Sequence, residues 1–207
     1  MKNTKDYLED ISQIRDIMER SSSFISLSGL SGILAGIYAL IGSYIGYRIV
    51  YIEQSVFSSR EYYVNEREII IKLGIVAAVV LILAVVTGVI LTARKSGGAS
   101  LSFKDEGFRN LLGNLLIPLL SGGIFILILV GRGYYSIVAP SFLIFYGLSL
   151  INGSKFTLRD IKYLGLVEIL LGLVCAFFPG YGLIFWALGF GAMHILYGTI
   201  MYYKYER

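Results

Sequence analysis

Hydrophobic positions in this chain run together in blocks instead of alternating with polar ones. Six stretches, about 24–47, 73–93, 111–130, 134–151, 163–178 and 182–203, are almost free of charge. A bilayer core is about 30 Å thick and a helix rises about 1.5 Å per residue, so such runs predict membrane-spanning helices. The second run is rich in Val, Ile and Ala, as a buried strand would be, but it is far too long for one strand.

The clearest unit lies between Lys162 and Lys204. It reads LGLVEILLGLVCAFF, then PGYG, then LIFWALGFGAMHILYGTIMYY. Two apolar segments flanking a break of Pro and Gly predict a transmembrane helical hairpin. Residues whose numbers sum to about 361 then lie at equal depth. Gly172 falls level with Gly189, which permits close backbone approach. Glu168 falls level with Met193 and His194, roughly 9 Å in from the inner end of its helix.

The remaining segments fit the same plan. Residues 1–23 read as a cytoplasmic amphipathic helix, with Tyr7, Ile11, Ile14 and Met18 on one face and Asn3 as N-cap. Lying on the membrane surface and contacting another subunit are both consistent with that face. A segment this polar is not expected to be a cleaved signal peptide, and the first span is expected to serve as an uncleaved insertion signal. Ser28, Gly32 and Gly36 form a small-residue ridge on the first span. Residues 48–68 form a polar connection of nearly balanced charge, and residues 96–110 a Gly/Ser-rich linker. Pro118 predicts a kink in the third span.

The second helix of each pair ends alike. TGVILTARK, YGLSLINGSK and YGTIMYYKYE align on Gly88, Gly147 and Gly198, each followed by a basic residue. The partner helices align more loosely on Gly36, Gly123 and Gly172. These glycines, with Gly32 and Gly189, are the expected packing positions of three two-helix hairpins. The segment LGLVEILLGLVCAFFPGYGLIFWALGFGAMHILYGTIM resembles the two-helix repeat of HdeD-like acid-resistance membrane proteins. That pattern has a glycine in each helix and a proline at the turn, here Gly172, Pro179 and Gly198. The resemblance is good over 161–203 and partial over 111–155, where Arg132 replaces the turn proline. It implies six helices in a bacterial cytoplasmic membrane and a stress role, and it carries no established chemistry.

Composition sharpens the class. Of the 207 residues, 56% are hydrophobic, against about 45–50% in soluble domains, and the mean hydropathy is +0.73. The net charge of +4 would suggest nucleic acid in a soluble protein. Here the basic residues flank apolar spans and set orientation instead, so no nucleic-acid partner is expected. Thirteen lysines and arginines fall on the side of both termini and five on the other, which places both termini in the cytoplasm. The sequence contains no phosphate-binding G-x-x-x-x-G-K-[ST] loop and no G-x-S-x-G elbow. Cys175 and His194 do not make a metal site by spacing, so neither a metal nor a cofactor is expected.

Glu168 and His194 remain as candidate chemistry. Ionisable groups at membrane depth are costly and often functional. The corresponding places in the second hairpin hold Leu119 and Leu143, so the architecture does not require the pair. Three readings stay open: a helix–helix tether, a proton or ligand site titrating as a coupled pair, and an unpaired interfacial glutamate. Glu168 shares a face with Gly172 and Cys175. His194 shares one with Gly191 and Gly198, and a neighbouring face runs through Gly189 and Met193.

The expected fold is therefore an all-α membrane protein of six transmembrane helices in three hairpins, spanning 24–207. Two functions are compatible with it. One is a non-enzymatic, stress-related protein acting through assembly with itself or a membrane partner. The other is a small proton-linked transporter or channel using Glu168 and His194. The topology has a direct check. In a Cys175→Ser background, Ser58→Cys and Ser100→Cys should label with an impermeant thiol reagent from opposite sides. Labelling of both from outside would overturn the six-span arrangement.

Overall fold

Where the sequence is uncharged it also lacks the turn residues that end helices, and the helices run as far as the apolar blocks do. The computed structural model describes residues 28–51, 67–95 and 106–207. The amphipathic segment 1–23, most of the first connection and the start of the Gly/Ser linker lie outside the described residues. Among the described residues six long helices follow in order: α1 (Gly29–Tyr51), α2 (Arg67–Lys95), α3 (Glu106–Gly131), α4 (Val138–Gly153), α5 (Asp160–Phe177) and α6 (Gly182–Tyr205). Single 3₁₀ turns flank α4, and no strand occurs among the described residues.

Five of these helices are long and apolar enough to cross a membrane: α1, α2, α3, α6, and α4 taken with its flanking turns. The exception is α5. It has 18 residues, and Asp160, Lys162 and Glu168 all fall within them.

Burial is inverted relative to a soluble protein. Ser141, Ser149, Thr157, Glu168 and His194 are buried, whereas Leu81, Ile82, Ile117, Leu127, Leu170 and Phe177 are exposed. Large apolar surface turned outward and polar side chains turned inward are what a hydrocarbon solvent demands. These are the helices of a membrane-embedded protein. The extreme case is α2, where Ile69 and Thr92, near its two ends, are the buried residues.

Glycine sets which helices touch. In lipid, apolar side chains gain little by leaving the solvent, so tight packing needs close backbones. A Cβ on Gly36 would lie 2.6 Å from the Gly191 carbonyl oxygen and 2.7 Å from Ile195 Cγ1. A Cβ on Gly147 would lie 2.6 Å from the Gly165 carbonyl oxygen and 2.7 Å from Ile169 Cγ1. The same arrangement recurs where Gly172 meets Pro140 and Ile144, and where Gly198 meets Gly29 and Ile33. In each case a missing side chain admits the carbonyl of a glycine or proline and the isoleucine four positions later. These contacts join α1 to α6 and α4 to α5, while α2 packs on α1 and α3 on α4.

Two expectations change here. Gly172 lies against α4, not against Gly189 of α6, so the two arms of the last hairpin have other main partners. Gly88 and Gly123 would meet nothing within 4 Å if given a Cβ. Their alignment with Gly147 and Gly172 therefore does not extend to packing. On α3 the packed glycine is the neighbouring Gly122, which faces Phe145.

Polar contacts finish the bundle. Ser149 donates to the Leu115 carbonyl at 2.6 Å, in the turn preceding Pro118, where α3 continues without a break. At one end Glu206 accepts from the Gly29 amide and from Lys95 Nζ at 3.1 Å, so it caps α1 and ties it to the ends of α2 and α6. Beside it Asp160 accepts from Lys204 Nζ at 2.9 Å and from the Tyr205 hydroxyl at 2.8 Å. At the opposite end the chain turns through Gly133 (φ 79) and Gly180 (φ 87), conformations that glycine adopts without strain.

The packing is testable. Gly172→Leu should drive a side chain into the α4 backbone and destabilise the protein by about 1–3 kcal/mol, seen as a lower thermal midpoint in detergent. Gly123→Leu, in open surroundings, should leave the midpoint unchanged.

Candidate functional site

One face of α5 is buried along its whole length: Ile161, Leu164, Gly165, Glu168, Gly172 and Cys175. The spacing of three, one, three, four and three is that of a single helical stripe. It delivers the carboxyl group of Glu168, with no exposed surface, to the junction of α4, α5 and α6.

The opposing helix is modified to receive it. Residues Ala187–Met193 of α6 form a π-helical segment. Such segments add a residue to a turn and are often found at functional sites. Gly189 lies within it, and a Cβ there would collide with Glu168 Oε2 and would lie 2.6 Å from Leu143 Cδ2. The absent side chain is the space that the carboxyl group fills. The wider turn also brings Gly189 and His194, five residues apart, to one side of the helix. His194 Nδ1 lies 3.0 Å from the Gly189 carbonyl oxygen and 3.5 Å from Glu168 Oε1.

The protonation pattern of the ring follows from its partners. A carbonyl oxygen only accepts, so Nδ1 carries a hydrogen and donates it to Gly189. Nε2 lies 2.7 Å from the Tyr146 hydroxyl. In the neutral ring Nε2 accepts, and Tyr146 on α4 is the donor. Phe190 stacks on His194 with ring centres 6.0 Å apart and packs on Tyr146 at 5.0 Å. Trp186 extends this aromatic wall along α6.

Glu168 is the unbalanced member. Neither carboxyl oxygen has a hydrogen-bond partner, and the His194 contact is longer than the roughly 2.7–2.9 Å of a charge-assisted hydrogen bond. A lone ion at this depth would cost several kcal/mol. The cluster is therefore suited to holding a proton shared between a carboxyl group and an imidazole. Among the described residues, no group of three or more His, Cys, Asp or Glu side chains is gathered.

Of the residues singled out by sequence, Glu168, His194 and Gly189 meet here. Gly191 instead faces Leu40 of α1, and Cys175 is buried as a free thiol farther along α5. Leu143 lies beside Gly189 and helps enclose the carboxyl group, whereas Leu119 is half-buried on α3. Tyr146 was not expected. The available signal was a hydroxyl in mid-span, which must find a partner when packed among apolar groups.

No known protein family, curated protein or solved structure was found to match this chain.

A double-mutant cycle measures the contact. Glu168→Gln and His194→Gln should show a coupling in stability of about 1–3 kcal/mol. It should be greatest where carboxylate and imidazolium coexist, and fall in acid as the carboxylate is lost and in alkali as the imidazolium is lost. Additive effects at every pH would mean that the two residues do not interact.

Proposed function

We propose that the chain is a six-span protein of a bacterial cytoplasmic membrane, with both termini in the cytoplasm, and that it carries out proton-linked transport through Glu168 and His194. The observation behind this reading is the Glu168 carboxyl group: fully buried, without a hydrogen-bond partner on either oxygen, and facing an ionisable ring. A structural tether would satisfy its oxygens, because an unmade hydrogen bond in a buried setting is costly. A group that gains and loses a proton cannot be tied permanently to one set of donors.

The sixth span is α5. Asp160 and Lys162 sit at its start, Glu168 is the ionisable side chain farther in, and 18 residues span about 27 Å. The ends of α1, α2, α5 and α6 meet through Glu206, Lys95, Asp160 and Lys204, as alternating spans require. The lysine and arginine excess favours the cytoplasm for that end.

A second reading rests on α2. Its apolar surface is uncovered for most of its length, and Gly74 and Gly88 on it are open. This favours assembly with another copy or a membrane partner, in line with the HdeD-like resemblance and its stress role.

Transport can be measured directly. Proteoliposomes bearing the protein should dissipate an imposed pH gradient, and Glu168→Gln should abolish that flux. Equal flux from both proteins, or none from either, would remove the transport reading.

A further inference from the structure

The cluster is a chain of three groups. Glu168 is fully enclosed, His194 is 8% exposed, and Tyr146 is half-buried. The three are connected in that order, by 3.5 Å from Glu168 to Nδ1 and by 2.7 Å from Nε2 to the phenol. An imidazole with its two nitrogens toward different partners can take a proton on one side and release another on the opposite side. Among the described residues, the titratable groups facing Glu168 are His194 from α6 and Tyr146 from α4. No lysine, arginine or second carboxyl group from these helices or α1 lies in the cluster.

We infer that Tyr146 and His194 form the relay through which Glu168 exchanges its proton, with Tyr146 as the entry group. This rests on the proton-linked reading above and specifies its route. Uptake starts from the Glu168 carboxylate. The Tyr146 O–H bond breaks as its proton passes to His194 Nε2, and the phenol oxygen takes a replacement proton from water. The ring, now protonated on both nitrogens, breaks its Nδ1–H bond and delivers that proton to Glu168 Oε1. One proton moves from water to the carboxylate, and the tyrosine is restored. The ring is left protonated on Nε2, and the reverse sequence discharges the site. Charge on the ring and on the carboxylate draws the 3.5 Å contact toward hydrogen-bonding length during transfer.

Gly189 has a part in this route. In the resting ring its carbonyl accepts from Nδ1, with nitrogen and oxygen 3.0 Å apart, which keeps Nδ1 on the Glu168 side while Nε2 stays on Tyr146. The π turn is what places that carbonyl beside the ring.

The test separates rate from occupancy. Proton uptake by the purified protein after a pH jump would be followed with a pH dye in stopped flow. Protonation of Glu168 would be followed separately by the infrared carboxylic-acid band that Glu168→Gln removes. Tyr146→Phe keeps the ring packing and should slow uptake by roughly a hundredfold, the scale of a lost general acid–base group. The infrared band should still reach its full amplitude at equilibrium. Difluorotyrosine at position 146 retains shape and hydroxyl, so a changed uptake rate there would exclude a packing effect. Unchanged rates in both variants, with the Glu168 band and Glu168-dependent uptake intact, would overturn the relay and leave the proton site standing. Absence of the band and of Glu168-dependent uptake in the unmodified protein would overturn the proton-linked reading itself, and the relay with it.

Discussion

The structure depends on backbone-to-backbone contact at glycine. Lipid tails solvate leucine and isoleucine as well as a neighbouring helix does, so burying such side chains does little to hold the bundle. What distinguishes a helix neighbour from lipid is dense packing at short range, and that requires positions without a Cβ. Gly36 over Gly191 and Ile195, and Gly147 over Gly165 and Ile169, supply it with nearly the same geometry. Because these contacts fix α1 to α6 and α4 to α5, they also fix where α5, α6 and α4 converge.

The polar centre is a consequence of that convergence. Glu168 shares its stripe with Gly165 and Gly172, the two glycines that pull α5 onto α4. A carboxyl group on the same stripe is carried inward with them. It fits because Gly189 leaves a gap, and Gly189 is suitably placed because α6 widens into a π turn. One residue type thus does two things: it brings backbones together, and it leaves room for a polar side chain between them.

Much of this was legible in the sequence, and the parts that were not have physical causes. Uncharged runs give the helices directly, since their length alone separates them from strands. The depth count across Pro179–Gly182 puts Glu168 and His194 on one level because it needs only the helical rise. The facing of His194 was ambiguous because a 3.6-residue period separates it from Gly189, and a local change to a five-residue spacing leaves no mark in the sequence. Tyr146 was missed because it comes from α4, and hairpin reasoning looks only at sequence neighbours. Gly88 and Gly123 were misassigned for a related reason. Equivalent places in an alignment need not face equivalent helices, and Gly122 rather than Gly123 points at Phe145.

The charge of the centre limits what it can do. The observed heavy-atom positions accommodate a neutral ring donating through Nδ1 and accepting from Tyr146. They also accommodate an imidazolium, provided the phenol turns from donor to acceptor. With one titratable proton shared between Glu168 and His194 the cluster is neutral overall, whether that proton sits on oxygen or on nitrogen. Moving it within the cluster therefore brings no net charge into the low-dielectric interior. Removing it leaves a net anion and adding another leaves a net cation, and either is expensive at this depth unless water enters or a partner ion arrives. Exchange with solvent must accordingly be linked to a local opening. The tight glycine contacts of α4 on α5 and of α1 on α6 resist such an opening. The lighter contact between α5 and α6, with the π turn on one side of it, does not.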